Sequence, residues 1–518
     1  MLHYKGLALV RLHKSSLGSI PAGQISWWVV CMSRFNNPAA LLKPERSRHA
    51  AVRPAATEPA MRPSAGVSTL PLSTQPASPA GVSRLKAQVA GGSGVLGRIG
   101  FAAALAYIFI RFALLSDAIT AILGFKPFLT YMTAPLALLG VLFTGGLSRA
   151  VRFKPGIFFC AFLGWLLLAV PFSVWRGGST GTLFTAFEAD FSMFFMIVGL
   201  TTTWYRFRMM LFAIAAGGVC DFLLCLLYPG SLEGRFVLSF GLLSNPNDLA
   251  THVLFVLPMC VFVFLVSRRF SVAKFVMAPT IIGLLVIVLR TGSRAALLSL
   301  IGLAIYLFFR GSMAFKIMAL VAVAVVGPIT LLSLPADVRY RYISMFSSSG
   351  PEVVTDEEAF RAGEASSSSE ARKALLMNSV SETFHNPLFG VGPGEFAVAE
   401  AAVAKELGRR AAWQVTHNTY TEVSAEAGIP AFLFFVGALF GAMKLLYQVR
   451  KRSRLKARLD YLAVPAFWLM VCGIGLSINI FFAALAYQFY IPTFIALAMV
   501  AASLADDGSR NYSAQKPS

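Results

Sequence analysis

The feature that most constrains this chain is a succession of apolar blocks, each about 20 residues long, the length at which an α-helix crosses the hydrocarbon core of a bilayer. A backbone in hydrocarbon must satisfy every N–H and C=O internally, so such blocks fold as helices. Composition closes off the alternatives. Only 13% of residues are charged and 57% are hydrophobic, against about 25% charged in ordinary soluble domains. A water-facing surface cannot be built from so few polar side chains. A soluble enzyme, a coiled coil and a disordered chain are excluded. The six cysteines (Cys31, Cys160, Cys220, Cys225, Cys260 and Cys472) form no CxxC pair and no zinc spacing, which excludes a disulfide or metal scaffold. The expected fold class is an all-α polytopic membrane protein.

Twelve spans are predicted, at about 100–123, 127–147, 156–174, 186–203, 208–228, 247–267, 275–290, 294–310, 317–334, 428–447, 461–482 and 486–504. The net charge of +21 would suggest nucleic acid in a soluble protein. Here it follows the connectors. Arg149, Arg152 and Lys154, then Arg206 and Arg208, then Arg268, Arg269 and Lys274, then Arg310 and Lys316, and finally VRKRSRLKAR at 449–458 fall in every second connector. The positive-inside rule places these in the cytoplasm, together with both termini. One outward connector is long, about 335–427, between helices nine and ten. It carries 13 acids and eight Lys/Arg. Its Ser- and Glu-rich part, 347–371, reads as mobile, and 371–384 and 396–412 read as helical.

The chain accordingly divides into five parts. Residues 1–97 form a basic tail rich in Pro, Ala and Ser over 44–82, expected to be disordered, with no clean signal peptide. Helices 1–9 occupy 98–334, the outer loop domain 335–427 and helices 10–12 428–505. A cytoplasmic tail takes 506–518.

Ionisable groups at span ends and in outer loops are the candidates for chemistry, because charge is costly inside a bilayer. His417 opens HNTYTEVSAEAGIP (417–430), which leads into span ten. A histidine there suits a general base or an anchor for the loop. Asn418 can orient a substrate or the loop itself. Glu422 and Glu426 follow at helical spacing. RTGSRAALLSL (290–300) puts Arg290 and Arg294 at an outward turn, where guanidinium forks suit a pyrophosphate or reach lipid headgroups. Ser293 is placed to cap the helix that follows. In GRFVLSFGLLSNPNDLA (234–250), Arg235 lies in an outward loop, Asn245-Pro246-Asn247 makes a turn, and Asp248 suits a first helical turn. Arg235, Arg290 and Arg294 are expected to converge on one outer pocket. HNPLFGVGPGEF (385–396) reads as a tight glycine turn that shapes backbone, without the strand context of a nucleotide loop. Glu188 and Asp190, at the outer start of span four, are the rival pair for a metal.

In order along the chain, NPNDLA, SRAALL, PLFGVGPGEF and an outer-loop HN followed by an acidic, Gly-Ile-Pro entry into a span resemble the O-antigen ligase and O-antigen polymerase superfamily of bacterial inner-membrane enzymes. The resemblance covers roughly 100–505. It implies a fold like the helical GT-C glycosyltransferases, with one large periplasmic loop between helices nine and ten. It implies transfer of a glycan from undecaprenyl pyrophosphate to an acceptor hydroxyl, on lipid A-core or a similar acceptor, at the periplasmic face of the inner membrane, with no metal, no cofactor and no nucleic acid. By the resemblance His417 is the general base. The pyrophosphate arginines match Arg235 and either Arg290 or Arg294, and Arg372 resembles a further recurrent position. The 347–371 insert has no counterpart in the pattern.

The chemistry agrees with that expectation. A base takes the proton of a poor hydroxyl nucleophile, and fixed arginines stabilise the charge growing on the leaving pyrophosphate. Attack on the face opposite the leaving group inverts the anomeric centre. Ligase and polymerase both need this set, so both remain open, as does an exopolysaccharide polymerase. A transporter is the alternative from another class. It would be expected to show repeats and broken helices near the midplane, whereas no internal repeat is seen, the polar residues gather at the outer face, and ionisable groups within spans are few, with Arg111, Asp221 and His252 standing out.

Overall fold

The computed structural model describes residues 94–343, 345, 356–406, 408 and 413–513. Of the expected tail at 1–97, residues 1–93 lie outside them, and Val95 already begins a helix. The described residues are helical, apart from one two-stranded hairpin. The long helices are α1 (Val95–Phe112), α2 (Leu129–Phe143), α3 (Lys154–Ala169), α4 (Arg176–Leu200), α5 (Trp204–Leu227), α6 (Pro246–Val266), α7 (Val272–Arg290), α8 (Arg294–Arg310) and α9 (Met313–Ser333). Then come α10 (Ala336–Ile343), α11 (Asp356–His385), α12 (Phe396–Glu406), α13 (Thr419–Leu455), α14 (Ala463–Asn479) and α15 (Tyr490–Ser513).

Each of the twelve expected blocks coincides with a helix. Among the described residues nine helices are long and apolar enough to cross a membrane, while α2 is a shorter apolar helix of 15 residues and α8 has 17. The first block is interrupted: Leu114 takes φ 47 and separates α1 from a short helix, Leu115–Leu123. α4 contains a π-turn at Phe187–Phe191. From Asp356 the Ser-rich stretch that reads as mobile belongs to α11. The helix expected over 396–412 is described as far as Glu406.

The helix starts follow from side chains that accept the first free N–H groups. Asn245 Oδ1 accepts from Asn247 N at 2.8 Å, and Pro246 supplies the preset φ of a first helical residue. Ser271 accepts from Lys274 N, and Ser293 from Ala296 N. Burial concentrates in α6, α15 and the middle of α4, which pack among their neighbours with fully buried Phe191, Phe194, Phe262 and Phe494. The side chains of α7, α13 and α3 are more exposed, as expected of helices that present apolar surface to lipid.

The ionisable residues within the spans are tied to one another. His252 Nε2 meets Asp221 Oδ2 at 2.9 Å and His252 Nδ1 meets the Tyr490 hydroxyl at 3.0 Å. Arg111 pairs with Asp190 at 2.6 Å. These bonds join α5 to α6, α6 to α15 and α1 to α4, and in an apolar interior each pair satisfies groups that cannot reach water.

Candidate functional site

The roof over one end of the bundle is built from the hairpin, the turn between α7 and α8, helices α10 to α12, and the segment that enters α13. The hairpin comprises β1 (Pro229–Leu232) and β2 (Arg235–Leu238), antiparallel with Leu232 opposite Arg235. Its two turn residues, Glu233 and Gly234, both have positive φ (53 and 70), the geometry of a tight hairpin turn whose twist matches the strands. This places Arg235 at the first residue of β2, where it is 6% exposed. Arg235 Nε donates to Thr291 O at 2.7 Å and Nη2 donates to Asn247 Oδ1 at 2.9 Å. One guanidinium therefore fastens the hairpin to the NPND turn and to the RTGSR turn.

The RTGSR turn separates its two arginines. Arg290 is the last residue of α7 and Arg294 the first of α8, and Gly292 between them takes φ 61. Arg290 is exposed and lies over the Phe236 ring at 5.4 Å. Arg294 is partly buried and lies within the electrostatic reach of Arg341 and Arg372.

Arg341 belongs to α10, which docks on this turn through Leu334, Val338 and Tyr342, packed against Leu289 and Leu297. The Tyr342 hydroxyl donates to Leu289 O at 2.9 Å. A β-carbon added at Gly292 would stand 3.6 Å from both Arg235 Nε and Arg341 Cδ, so these two arginines flank the same glycine. Burial first, then repulsion from Arg341 and Arg372, pulls the Arg235 guanidinium down to about 10. Arg372, on α11, is lowered by burial and then by Arg341. It is held by Leu375 of the same helix, which packs with Phe396 of α12 and Ala425 of α13.

His417 sits two residues before α13 and takes φ 53. A non-glycine residue in the left-handed region costs about 1–2 kcal/mol, and such strain gathers at functional sites. The segment on either side is locked. Thr419 N donates to Ile480 O at 2.8 Å, the Thr419 hydroxyl donates to Ala483 O at 2.6 Å, and Ala486 N donates to Glu422 Oε2 at 3.0 Å. Asn418 Oδ1 accepts from Tyr420 N and Thr421 N, which commits that oxygen to capping α13. His417 itself is half-buried, and its imidazole is lowered from the ordinary value by burial and then by the Arg372 charge. Burial and a neighbouring cation both favour the neutral ring, the form that accepts a proton.

The glycine motif has a structural purpose in this roof. Gly428 breaks α13 at φ 81, ψ 176. Ile429 N then turns to Pro387 O at 2.8 Å, and Pro430 has no N–H, so the carbonyls of Ala425 and Glu426 lose their helical donors. Val391 N and Gly392 N supply the replacements, both at 2.9 Å. Glu426 also accepts from Gly394 N and the Tyr487 hydroxyl, both at 2.7 Å. A β-carbon at Gly390 would lie 2.3 Å from the Glu426 backbone, so only glycine permits this approach. Of the rival carboxylate pair, Asp190 is engaged by Arg111. Among the described residues no group of three or more His, Cys, Asp or Glu is arranged to hold a metal ion.

Residues 278–436 match the family model described as O-antigen ligase. That stretch is similar to the O-antigen ligase family. No curated protein matches the chain. The O-antigen ligase match begins within α7 and ends within α13, so it contains Arg290, Arg294, Arg341, Arg372, His417 and Asn418. Arg235 precedes it and reaches it through Thr291. The O-antigen ligase family implies a glycosyltransferase-like enzyme, ligase or polymerase.

One roof residue carries no signal of its own in the sequence. Arg341 lies in α10, a short polar helix with no motif of its own, and its place depends on long-range packing of Val338 and Tyr342.

Proposed function

We propose that the protein transfers a glycan from undecaprenyl pyrophosphate to an acceptor hydroxyl at the periplasmic face of the inner membrane. The observation that supports this most is that Arg341 and Arg372 lie within electrostatic reach of each other and of both Arg235 and Arg294, with His417 within reach of Arg372. A pyrophosphate presents several oxygens to guanidinium forks, and a polyanion stabilises arginines grouped in this way. The acceptor oxygen attacks the anomeric carbon, and its proton passes to the neutral imidazole of His417. The bond from the anomeric carbon to the pyrophosphate oxygen breaks, and the lipid pyrophosphate leaves with an additional negative charge. The arginines are fixed before the reaction and stabilise that charge without reorganising. In-line attack inverts the sugar.

Ligase and polymerase share this step and differ in the acceptor, a lipid A-core or similar glycan for the first and a lipid-linked repeat for the second. The overall resemblance favours ligase. Sizing the lipid-linked glycans of a strain that lacks the gene distinguishes them: full-length chains held on the lipid mean ligase, and single repeats mean polymerase. In the same strain, His417→Ala supplied in trans is expected to insert normally and to transfer no glycan. Normal surface glycan with that variant would end the proposal and favour a transporter.

A further inference from the structure

A second cationic cluster stands at the other end of the bundle, and the glycan-transfer proposal makes no use of it. α13 runs 37 residues from Thr419 to Leu455, so at about 1.5 Å per residue its last turns are remote from His417. There a cavity of about 220 Å³ is lined by Arg310, Tyr447, Arg450, Lys451, Arg454 and Leu455. Four of these residues are cations and none is an acid.

Positive residues are common where helices end on the cytoplasmic side, but that bias does not require them to converge on one cavity. Others at this end have protein partners. Arg152 pairs with Asp507 at 2.9 Å, Arg452 pairs with Asp506 at 2.7 Å, and Arg206 donates to Leu200 O at 2.8 Å. In the cavity the contacts are aromatic. Arg450 lies 4.1 Å over the Phe467 ring and donates to the Tyr306 hydroxyl at 3.3 Å, and Arg310 lies 5.7 Å over Tyr306. These contacts orient guanidinium planes but do not neutralise them, and Arg450 is repelled by both Arg454 and Arg310. Among the described residues, no carboxylate pairs with any of the four cations.

The position selects a lipid over a soluble anion. α8 rises from Arg294 to Arg310 over 17 residues, about 25 Å at helical rise, close to the thickness of a hydrocarbon core. Tyr447 and Leu455 line the same cavity and are 52% and 76% exposed, an aromatic and an aliphatic side chain at the level where headgroups meet acyl chains. Basic pockets between helices at this level recognise lipid phosphates. We propose that the cavity binds the phosphate of an anionic phospholipid in the leaflet opposite the His417 face, and that a lipid with two phosphodiesters fits its four cations best.

The test uses the full-length protein in a neutral detergent and counts bound lipid by native mass spectrometry. The probes are diphosphatidylglycerol, phosphatidylglycerol and phosphatidylcholine, with inorganic phosphate as competitor. Diphosphatidylglycerol is expected to occupy the protein at the lowest concentration and phosphatidylcholine at the highest. Arg450→Gln with Arg454→Gln is expected to weaken diphosphatidylglycerol on the order of tenfold or more, because two basic contacts are removed. Arg269→Gln with Lys274→Gln removes two charges from the same end outside the cavity and is expected to leave binding unchanged. Should the first double variant not be recovered folded, Lys451→Gln, at an exposed position, is expected to give a smaller loss in the same direction. Equal losses in both double variants, equal occupancy by phosphatidylcholine, or no loss with Lys451→Gln would overturn the proposal. Displacement of the lipid by inorganic phosphate would also overturn it and assign the cavity to a soluble anion.

Discussion

His417 is placed so that its protonation reports on its neighbour. The imidazole is lowered by burial and then by Arg372, and a base must be neutral to accept the acceptor's proton. Activity should therefore fall as pH drops through the His417 pKa, below the ordinary histidine value of 6.5. Replacing Arg372 by Gln removes a positive charge that disfavours the imidazolium, so the His417 pKa rises and the acid limb of kcat/KM moves to higher pH. A limb that stays in place in the variant would show that Arg372 does not act on His417, whatever happens to the rate. The two arginines of the RTGSR turn give a sharper contrast. Arg294→Lys loses a bidentate fork inside the cluster and is expected to lower kcat on the order of 10²–10³-fold. Arg290→Lys, stacked on Phe236 at the exposed side, is expected to change it little. The reverse result in a transfer assay with purified donor lipid would move the pyrophosphate site to the other side of the turn. Sequence spacing left this choice open for a physical reason. Four residues apart, the pair would share one face of a continuous helix, and the left-handed Gly292 that ends that continuity acts through φ.

At the scale of elements, the roof depends on a helix broken deliberately. Gly428 and Pro430 release two carbonyls of α13, and the Gly390–Gly394 loop docks on them. Gly390→Ala combines a left-handed φ of 66 with a β-carbon 2.3 Å from backbone, so it should destabilise the protein by about 1–3 kcal/mol. The cost should appear as a lower thermal midpoint in detergent and as lost transfer. A midpoint equal to wild type would mean that the loop does not need this contact. Much of this level was legible in the sequence, because caps and glycine turns are local. Asn245-Pro246 and Ser293 start helices where their side chains predict, and PLFGVGPGEF shapes backbone. What was not legible is tertiary. Nothing in HNPLFGVGPGEF names Ala425 and Glu426 as its partners, and a run of Ser and Glu that looked mobile is helical from Asp356. The hairpin at Pro229–Leu238 was hidden inside a loop because its strands are only four residues each.

For the whole molecule, helix direction fixes which groups share an end, whatever the number of spans. α6 leaves the arginine cluster at Pro246 and ends at Val266, and α7 returns from Val272 to Arg290. α13 leaves His417 and ends at Leu455. Arg269 and Arg454 therefore lie at the end opposite His417, the end that the proposed function puts in the cytoplasm because Lys and Arg are enriched there. Trp413, four residues before His417 and 66% exposed, is a reporter for the other side. In spheroplasts, a membrane-impermeant maleimide is expected to label Trp413→Cys and to leave Arg269→Cys unlabelled until the membrane is permeabilised. The native Cys225, Cys260 and Cys472 are buried and Cys160 and Cys220 half-buried within the helices, where the thiols are shielded; the unsubstituted protein sets the background. Labelling of Arg269→Cys in intact spheroplasts, with Trp413→Cys protected, would invert the molecule. His417 would then face the cytoplasm, away from the periplasmic acceptor that the proposed reaction requires. The same result would move the proposed phospholipid cavity to the outer leaflet without removing its four cations, so the two proposals separate on this experiment: glycan transfer depends on the sign of the topology, and lipid binding depends only on the distance between the two ends.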